Sequence, residues 1–300
     1  ILMRLSAKHR TAFYVPSESL GTLTDVEGNP VLIYMSQAKM RERFVEFFNS
    51  RALVVLNICF IKKPSGYSLK QIETWFDKIS GGVKQVWQVW QVWFQYGREP
   101  STALYPKDLP ELKYGLPEFS IEMPYQPGDF TQINADLNAV MISRALRLLD
   151  IQPNDRVADL FCGLGNFSLP MAKSGASVTG IEGLDSLVLR ARQNALRNSC
   201  VKYASFEVAD LFETDEQTVA SWGVFDKMLL DPPRSGAYAV VKSLHAPYLP
   251  KKIVYVSCNP STFARDAEVL VNKGYNFKSA GIMNMFAQTS HVESIGVFEL

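Results

Sequence analysis

From residue 127 onward, short apolar segments with strand character alternate with segments of helical periodicity. The predicted helices cover residues 135–149, 168–174 and 186–198, and the predicted strands cover residues 156–161, 177–181, 203–208, 227–230, 253–257 and 294–298. Alternating strands and helices form βαβ units, in which parallel strands make one sheet with helices on both of its faces. The pattern therefore predicts a doubly wound, Rossmann-like α/β domain.

Residues 1–125 have a different, less regular character. Residues 30–34 (PVLIY) and 52–58 (ALVVLNI) predict strands, with an amphipathic helix over 39–48 between them. We therefore expect a smaller α+β domain with a linker over residues 1–125, and a larger domain over residues 126–300.

One segment of this first part is repetitive. Residues 85–93 read QVWQVWQVW, a period of three that suits neither a helix nor an alternating strand. We interpret it as an expanded repeat that adds a strand-like segment. Residues 100–127 are rich in proline and predict a linker with short extended pieces.

The composition is that of an ordinary globular protein, with 47% hydrophobic and 20% charged residues and a net charge of +1. It excludes a disordered chain, and no apolar run of about 18 residues is present that would span a membrane. The four cysteines are far apart and form no CxxC pair, which argues against a disulfide scaffold or a metal site. We expect a cytoplasmic protein without membrane contact or an obligatory protein partner.

The strongest local signal is DLFCGLGNF at residues 159–167, where a strand runs into Gly163 and Gly165. Glycines let the backbone approach a ligand closely at the carboxyl edge of the sheet. Glu182 ends the next strand, about 20 positions later, where a carboxylate can bind a ribose diol. Both NAD and S-adenosylmethionine (SAM) fit these features. The turn lacks the G-x-G-x-x-G pattern of dinucleotide sites, which favours SAM.

Two further strands end in polar residues. Asp210 follows the strand at 203–208 and is a candidate contact for an adenine amino group. Asp231 begins the sequence DPPR after the strand at 227–230, which places a carboxylate and a rigid turn at the same edge. Because carboxyl ends of parallel strands meet at one edge, these residues predict a single site.

Cys258 follows the next apolar strand in the sequence SCNP at residues 257–260. Most lone cysteines act as small apolar residues, as we expect for Cys59 and Cys162, and Cys200 is expected to lie near a helix end without a role. Cys258 differs because it lies at the predicted site edge, where a thiol of lowered pKa can act as a nucleophile. Glu293, before the last strand, is a candidate base if it reaches the proton to be removed.

Taken in order, these motifs resemble the RNA uracil-C5 methyltransferases, from residue 129 to the end of the chain. The matching segments are FTQIN at 130–134, DLFCGLGNF at 159–167, IEG at 181–183, LDPPR at 230–234, SCNP at 257–260, ARD at 264–266 and HVES at 291–294. Within this family the motifs look most like those of the enzymes that methylate 23S ribosomal RNA.

The resemblance implies a cofactor, a partner and site residues. SAM is the implied cofactor, and RNA, specifically 23S rRNA, is the implied partner. The residues implied to contact SAM are Gln132, Phe161, Asn166, Glu182, Asp210 and Asp231. Cys258 is the implied nucleophile, which adds to C6 of a flipped-out uracil, and Glu293 is the implied base, which removes the proton from C5.

The chain departs from the rRNA-specific members of that family in its first part. Their N-terminal barrel-like RNA-binding domain and four-cysteine iron–sulfur motif are not visible here, so we expect no iron–sulfur cluster. Residues 30–58 resemble the last part of the family's central RNA-contacting domain. A catalytic domain without the upstream module is the expectation.

Several other functions stay open on the sequence. One is a non-catalytic SAM- or RNA-binding remnant, and another is C5 methylation of a different RNA such as tRNA. An amino-group methyltransferase would use an aromatic residue after the two prolines, where this chain has Arg234. A nicotinamide dehydrogenase is the remaining alternative.

Overall fold

The computed structural model describes residues 111–126, 129–132, 134–284 and 292–300 in full, and the backbone of seven strands between residues 2 and 105. The chain divides into two compact units. The first consists of residues 1–111 and 126–128, and the second of residues 112–125 and 129–300.

The first unit contains a five-stranded sheet and a two-stranded one. Its strands are β1 (Leu2–Ser6), β2 (Ala12–Tyr14), β3 (Thr22–Thr24), β4 (Pro30–Leu32), β5 (Val54–Phe60), β6 (Val89–Tyr96) and β7 (Thr102–Tyr105). The larger sheet has the order β2-β1-β5-β6-β7, in which β5 and β6 are parallel and the other neighbours antiparallel. β3 pairs with β4.

Both strands predicted for this unit are present, at β4 and β5, but they lie in different sheets. They therefore do not form one strand–helix–strand unit, and the helix predicted over 39–48 lies outside the described residues. The second half of the QVW repeat is strand β6, paired on both sides. Pairing with two neighbours keeps the segment extended although its period of three does not alternate.

The second unit begins with a hairpin and continues with alternating strands and helices. The hairpin strands are β8 (Lys113–Leu116) and β9 (Ile121–Pro124), joined by a 3-10 turn at Pro117–Phe119. The strands that follow are β10 (Arg156–Leu160), β11 (Ser177–Glu182), β12 (Ala204–Val208), β13 (Lys227–Leu230), β14 (Lys252–Ser257), β15 (Asn276–Met283) and β16 (Glu293–Glu299). The helices are α1 (Ala135–Leu149), α2 (Ser168–Lys173), α3 (Asp185–Arg197), α4 (Glu216–Trp222), α5 (Tyr238–Ser243) and α6 (Pro260–Asn272).

Seven of these strands form one mixed sheet in the order β12-β11-β10-β13-β14-β16-β15. Strands β10 to β14 are all parallel to one another, as predicted. β11 and β12 lie on one side of β10, whereas β13 and β14 lie on its other side, so the strand order reverses between β10 and β13. In open α/β sheets, ligands bind at the carboxyl edge beside such a switch point. β16 runs antiparallel between β14 and β15.

Both faces of this sheet are buried, which explains its nearly continuous apolar strands. Along β14, Val254 and Val256 pack with α1, α2 and α3 on one face. Ile253 and Tyr255 pack with α4, α5 and α6 on the other. Successive strand residues point to opposite faces, so a strand covered on both sides has apolar residues throughout.

The boundary between the units differs from the one predicted at residue 125. Leu116, Ile121 and Met123 of the hairpin are buried in the same core as α1 and the sheet. Residues 112–125 therefore belong to the second unit, although their prolines predicted a linker. Among the described residues, the helices are too short or too polar to cross a membrane.

Candidate active site

The glycine turn after β10 is the first element of the site. Phe161, Gly163 and Gly165 all have positive φ angles, of 63°, 56° and 96°. This region favours glycine, and a phenylalanine held there is under backbone strain of the kind that concentrates at functional sites. A Cβ on Gly163 would have no atom within 4 Å, so the turn faces open space.

Glu182 closes this turn from the end of β11. Its Oε2 accepts a hydrogen bond from the Gly163 amide at 3.1 Å, and its Oε1 accepts one from the Leu184 amide at 3.2 Å. Each carboxylate oxygen has a second lone pair for another donor. The carboxylate is therefore fixed beside the turn and can still accept the two hydroxyls of a ribose.

Asp159 lies wholly buried on β10 beneath the turn. Its Oδ2 accepts a hydrogen bond from the Ser168 hydroxyl, whereas Oδ1 has no hydrogen-bond partner among the described residues. Burial raises the pKa of this carboxyl to about 7, against the lowering effect of hydrogen bonds from Ser168. An unsatisfied buried acceptor at this position is a group that a bound ligand or water would satisfy.

Asn166 is held by side chains of the hairpin and of α1. Its Oδ1 accepts hydrogen bonds from the Tyr114 hydroxyl at 2.9 Å and from Asn138 Nδ2 at 3.0 Å. Its Nδ2 donates to Asn138 Oδ1 at 2.9 Å. These bonds use one of the two amide hydrogens, so a contact with a ligand falls to the second.

An apolar wall with a carboxylate lies at the end of β12. Asp210 is exposed, and its Oδ1 accepts a hydrogen bond from the Phe212 amide at 2.9 Å. The rings of Phe161 and Phe212 are 5.6 Å apart between centroids. Phe212 was not predicted from the sequence, because an aromatic residue two positions after a strand end has no pattern that distinguishes it. Gln132 is half-buried, and no described contact links it to this group.

Cys258 follows β14 directly and is held by its two chain neighbours. The Ser257 hydroxyl donates to the Asn259 carbonyl at 3.1 Å and accepts from the Asn259 amide at 3.2 Å. Asn259 caps α6, since its side chain accepts from the Ser261 amide, and Pro260 occupies the first turn. The SCNP sequence thus fixes the half-buried thiol between a strand end and a helix start.

Glu293 reaches the same edge because β16 is antiparallel to β14. Ser257 pairs with Ser294, so Cys258 and Glu293 occupy the next position in this register. Residues facing each other across an antiparallel pair have Cβ atoms about 4.5–5.5 Å apart. Glu293, the first residue of β16, therefore lies beside Cys258, which directly follows the last residue of β14.

The Asp231 carboxyl group is the third member of this cluster. Burial raises its pKa well above the ordinary value, and the charges of Glu293 and Asp159 raise it further. Burial also raises the pKa of Glu293. A raised pKa favours the protonated form of each carboxyl group and makes its ionised form a stronger proton acceptor than a carboxylate in water.

The condition of a lowered thiol pKa at Cys258 is not met. Burial and the charges of Glu293 and Asp231 raise the pKa of this thiol, while a backbone hydrogen bond and the Arg234 charge lower it less. The sequence could state a lowered pKa only as a condition, because burial and the neighbouring anions, which destabilise a thiolate, follow from tertiary structure. At neutral pH the raised pKa therefore favours the protonated thiol at Cys258.

We expect Cys258 to react slowly with iodoacetamide near pH 8 and faster as the pH rises above the ordinary thiol range. The Glu293→Gln substitution removes an adjacent anion, lowers the pKa of Cys258 and should increase the alkylation rate at pH 8 several-fold. Mass spectrometry of the peptide containing Cys258 measures the rate. Cys200, which is buried elsewhere, is the internal control, and an unchanged Cys258 rate in the variant would contradict the proximity of the two groups.

The loop after Asp231 is tied to β14 and α6 through Asp266. This wholly buried carboxylate accepts hydrogen bonds from the Ala237 amide and the Tyr255 hydroxyl, each at 2.7 Å. Arg265 donates to it at 2.8 Å. The Arg234 carbonyl accepts from Asn259 Nδ2 at 2.9 Å. These bonds fix residues 234–237 against the segment that carries Cys258.

The Asp266→Ala substitution should lower the free energy of unfolding of the second unit by about 3 kcal/mol, because the Tyr255 hydroxyl and the Arg265 guanidinium lose this acceptor and the Ala237 amide keeps only its 3.0 Å bond to the Tyr255 oxygen. Urea denaturation followed by hydrogen exchange at amides of β13 and β14 measures the change. Tyr255→Phe removes the bond to Asp266 and the second bond of the Ala237 amide, which keeps Asp266 as its acceptor, and should cost less, about 1 kcal/mol. Equal costs for the two variants would show that Asp266 is not the centre of the network.

The cysteines agree in part with their predicted roles. Cys162 is buried in the core, as expected for a small apolar residue, and Cys200 lies just beyond the end of α3, as expected, where it is buried too. Among the fully described ranges, no three His, Cys, Asp or Glu side chains are grouped to hold a metal ion. The Cys59 side chain and His291 of the HVES segment lie outside the described residues.

Comparisons with known proteins agree with this arrangement. The family model described as tRNA (uracil-5-)-methyltransferase matches residues 120–299. A 23S rRNA (uracil(1939)-C(5))-methyltransferase RlmD from Neisseria lactamica is 61% identical over 258 residues, which cover 86% of this chain and 56% of that protein. The RlmD of Thiobacillus denitrificans is 54% identical over 237 residues, covering 76% and 54%. The chain spans about half the length of the curated relatives it matches.

A solved structure shares the fold. It is the crystal structure of the Pyrococcus abyssi tRNA (uracil-54, C5)-methyltransferase in complex with S-adenosyl-L-homocysteine, with a TM-score of 0.60 and 25% identity. The match covers 82% of this chain and 56% of that one. Since the family model matches well over half of the chain, the chain belongs to the tRNA (uracil-5-)-methyltransferase family.

Proposed function

We propose that this chain transfers a methyl group from SAM to C5 of a uridine in 23S rRNA, through a covalent bond between Cys258 and C6 of the base. The observation that carries the proposal is the juxtaposition of one thiol and two carboxyl groups of raised pKa at a single sheet edge. Family membership supports the reaction. The identity to RlmD proteins supports 23S rRNA as the substrate.

The residues around the glycine turn fit SAM. The turn offers open space at Gly163, a fixed carboxylate at Glu182 and an unsatisfied buried oxygen at Asp159. Phe161 and Phe212 form an apolar wall beside Asp210. We assign the ribose to Glu182 and the adenine to the wall, with Gln132, Asn166 and Asp231 as the remaining proposed contacts. When bound, SAM supplies an electrophilic methyl group on a sulfonium.

The chemistry of uracil requires the nucleophile and the bases. C5 of uracil is a weak nucleophile, and addition of the Cys258 thiolate to C6 converts the ring to an enolate that is nucleophilic at C5. After C5 has gained the methyl group, Glu293 removes the C5 proton. The electrons of that C–H bond form the C5–C6 double bond, and the C6–S bond breaks to release the thiolate.

Proton transfer explains the need for two carboxylates. Because the pKa of Cys258 is raised, its thiol must lose a proton before the addition. We assign that proton to Asp231, so that Glu293 remains ionised for the C5 proton. At the end the thiolate regains its proton from Asp231, and Glu293 releases one proton to solvent for each methyl group transferred.

The test uses a 23S rRNA fragment that contains 5-fluorouridine. Fluorine at C5 cannot leave as a proton does, so the reaction should stall as a methylated protein–RNA adduct at Cys258. Mass spectrometry after nuclease and protease digestion identifies the modified peptide. Unsubstituted RNA is the control and should accumulate no adduct.

Two other outcomes separate the alternatives. SAM binding without an adduct on any RNA would contradict the proposed catalysis and support a non-catalytic remnant. An adduct with a 5-fluorouridine tRNA, but not with the 23S rRNA fragment, would retain the reaction and overturn the assigned substrate.

A further inference from the structure

Beside the Cys258 segment, the second unit carries an exposed surface of one aromatic and two basic side chains. We define the basic–aromatic surface as Tyr238 and Lys242 of α5 and Arg265 of α6. Tyr238 is 42% exposed. The Arg265 guanidinium lies 5.0 Å and the Lys242 ammonium 5.9 Å from the centroid of the Tyr238 ring. Nothing in the proposed reaction uses these three side chains.

The surface lies at the carboxyl edge of the sheet, where the site is. Tyr238 is the first residue of α5, which follows the loop that begins at Asp231. Arg265 lies in the second turn of α6, which begins directly after the Cys258 segment. Asn259 and Thr262 both donate to the Arg234 carbonyl, at 2.9 and 3.2 Å, and so join the loop to that helix.

Arg265 is held in one orientation although its side chain is 42% exposed. Its Nε and Nη2 bond the buried Asp266 at 2.8 and 2.7 Å, and Nη2 also donates to the Ser235 carbonyl at 2.9 Å. No residue that the structure describes accepts a hydrogen bond from Nη1. The pairing with the buried Asp266 accounts for this fixed orientation, while the Nη1 donors of the exposed guanidinium remain unused among the described residues. A preorganised cation with unused donors suits recognition of an anion.

We infer that the basic–aromatic surface binds the RNA strand next to the target uridine. Arg265 and Lys242 contact backbone phosphates, and the Tyr238 ring, which both cations contact, holds them in place. Aromatic and basic side chains together are the usual means of holding single-stranded nucleic acid without reading its sequence. A flipped uridine leaves its flanking phosphates near the rim of the pocket. The net charge of +1 for the whole chain makes a local basic surface necessary for this task. The inference rests on the RNA substrate proposed above.

The test is the double substitution Tyr238→Ala with Lys242→Ala, which leaves the Arg265–Asp266 pair intact. The probe is an unsubstituted 23S rRNA fragment, and fluorescence anisotropy at several salt concentrations gives the dissociation constant. We expect binding to weaken about tenfold, and the slope of log K against log salt to decrease by about 0.7 for one lost phosphate contact. Affinity for S-adenosylhomocysteine, measured by calorimetry, should not change.

The chain offers a matched control pair. Lys202 lies 4.8 Å from the Tyr203 ring, and Tyr203 is 37% exposed, but both precede β12 and lie at the opposite edge of the sheet. Their double alanine variant should bind RNA as the wild type does.

The outcomes separate this inference from the proposed function. Equal RNA affinity of the Tyr238/Lys242 variant and the wild type would overturn the surface assignment while leaving the proposed function in place. Equal weakening in both double variants would overturn it too, because binding would then follow overall charge. A wild-type chain that binds neither 23S rRNA nor tRNA would overturn both proposals.

Discussion

Replacement of Cys258 by alanine should lower the rate of uridine methylation by on the order of 10⁴-fold or more. In the proposed reaction the thiol converts C5 from a weak nucleophile into an enolate carbon, and Cys162, the other described thiol at this edge, is buried in the core. The variant should still bind S-adenosylhomocysteine, because Cys258 is not among the residues proposed to contact SAM. The measurement is methyl transfer from labelled SAM to the RNA, together with calorimetry of cofactor binding.

A second cysteine provides the control for this variant. Cys200→Ala removes a buried thiol that the reaction does not use, and its methylation rate should stay within a factor of about two of the wild type once folding is verified. If the Cys258→Ala chain kept a tenth of the wild-type rate, the covalent route would be excluded. The alternative would then be direct attack by C5 of the uracil on the methyl group, without prior addition of a nucleophile to C6.

The parallel part of the site could be predicted from the sequence because its geometry follows from one rule. The carboxyl ends of parallel strands meet at one edge, so residues that follow β10, β11, β13 and β14 had to converge. Glu182 illustrates this, since a carboxylate predicted to meet the glycine turn accepts a hydrogen bond from Gly163. Burial on both faces also made the inner strands strongly apolar and easy to recognise.

The orientation of β16 could not be predicted in the same way. For a parallel strand, the first residue lies at the edge opposite the site, and Glu293 would then be far from Cys258. Only the antiparallel pairing of Ser257 with Ser294 brings the two together. β15, which lies beside β16 and supports this arrangement, is exposed along nearly its whole length and therefore lacked the apolar pattern of a strand.

The pKa values of the site residues could not be predicted from the sequence for a related reason. A pKa depends on burial and on charges brought close by tertiary structure, and the charges near Cys258 come from the Asp231–Arg234 loop and from Glu293, two segments that are far from Cys258 in the chain. The role of Asp266 was hidden likewise. Its motif was recognisable, but its bonds to Tyr255 and Ala237 join three separate elements.

The Glu293→Gln substitution should trap the reaction after methyl transfer on ordinary RNA that contains no fluorine. Glutamine has nearly the same shape as glutamate, but its amide cannot accept the C5 proton, so the methylated adduct on Cys258 cannot decompose. We expect a burst of about one S-adenosylhomocysteine per chain, followed by turnover reduced by about 10²–10⁴-fold. Rapid-quench measurement of the burst and mass spectrometry of the adduct test this result. Glu299→Gln, at the opposite end of β16 where Glu299 pairs with Lys252 at 2.8 Å, is the matched control and should turn over normally.

The size of the burst decides when Glu293 acts. A full burst with a stable adduct means that thiol deprotonation, addition and methyl transfer all proceed without the Glu293 carboxylate, which leaves Asp231 as the acceptor of the thiol proton. Absence of both the burst and the adduct would mean that Glu293 itself activates the thiol, and the assignment of the two carboxylates would have to be exchanged. The same variant removes an anion from beside Cys258 and should make the thiol more acidic, so slower addition could not be attributed to a higher thiol pKa. Loss of a proton acceptor and a change in the thiol pKa are therefore separated by measuring the alkylation rate of Cys258 and the burst in the same variant.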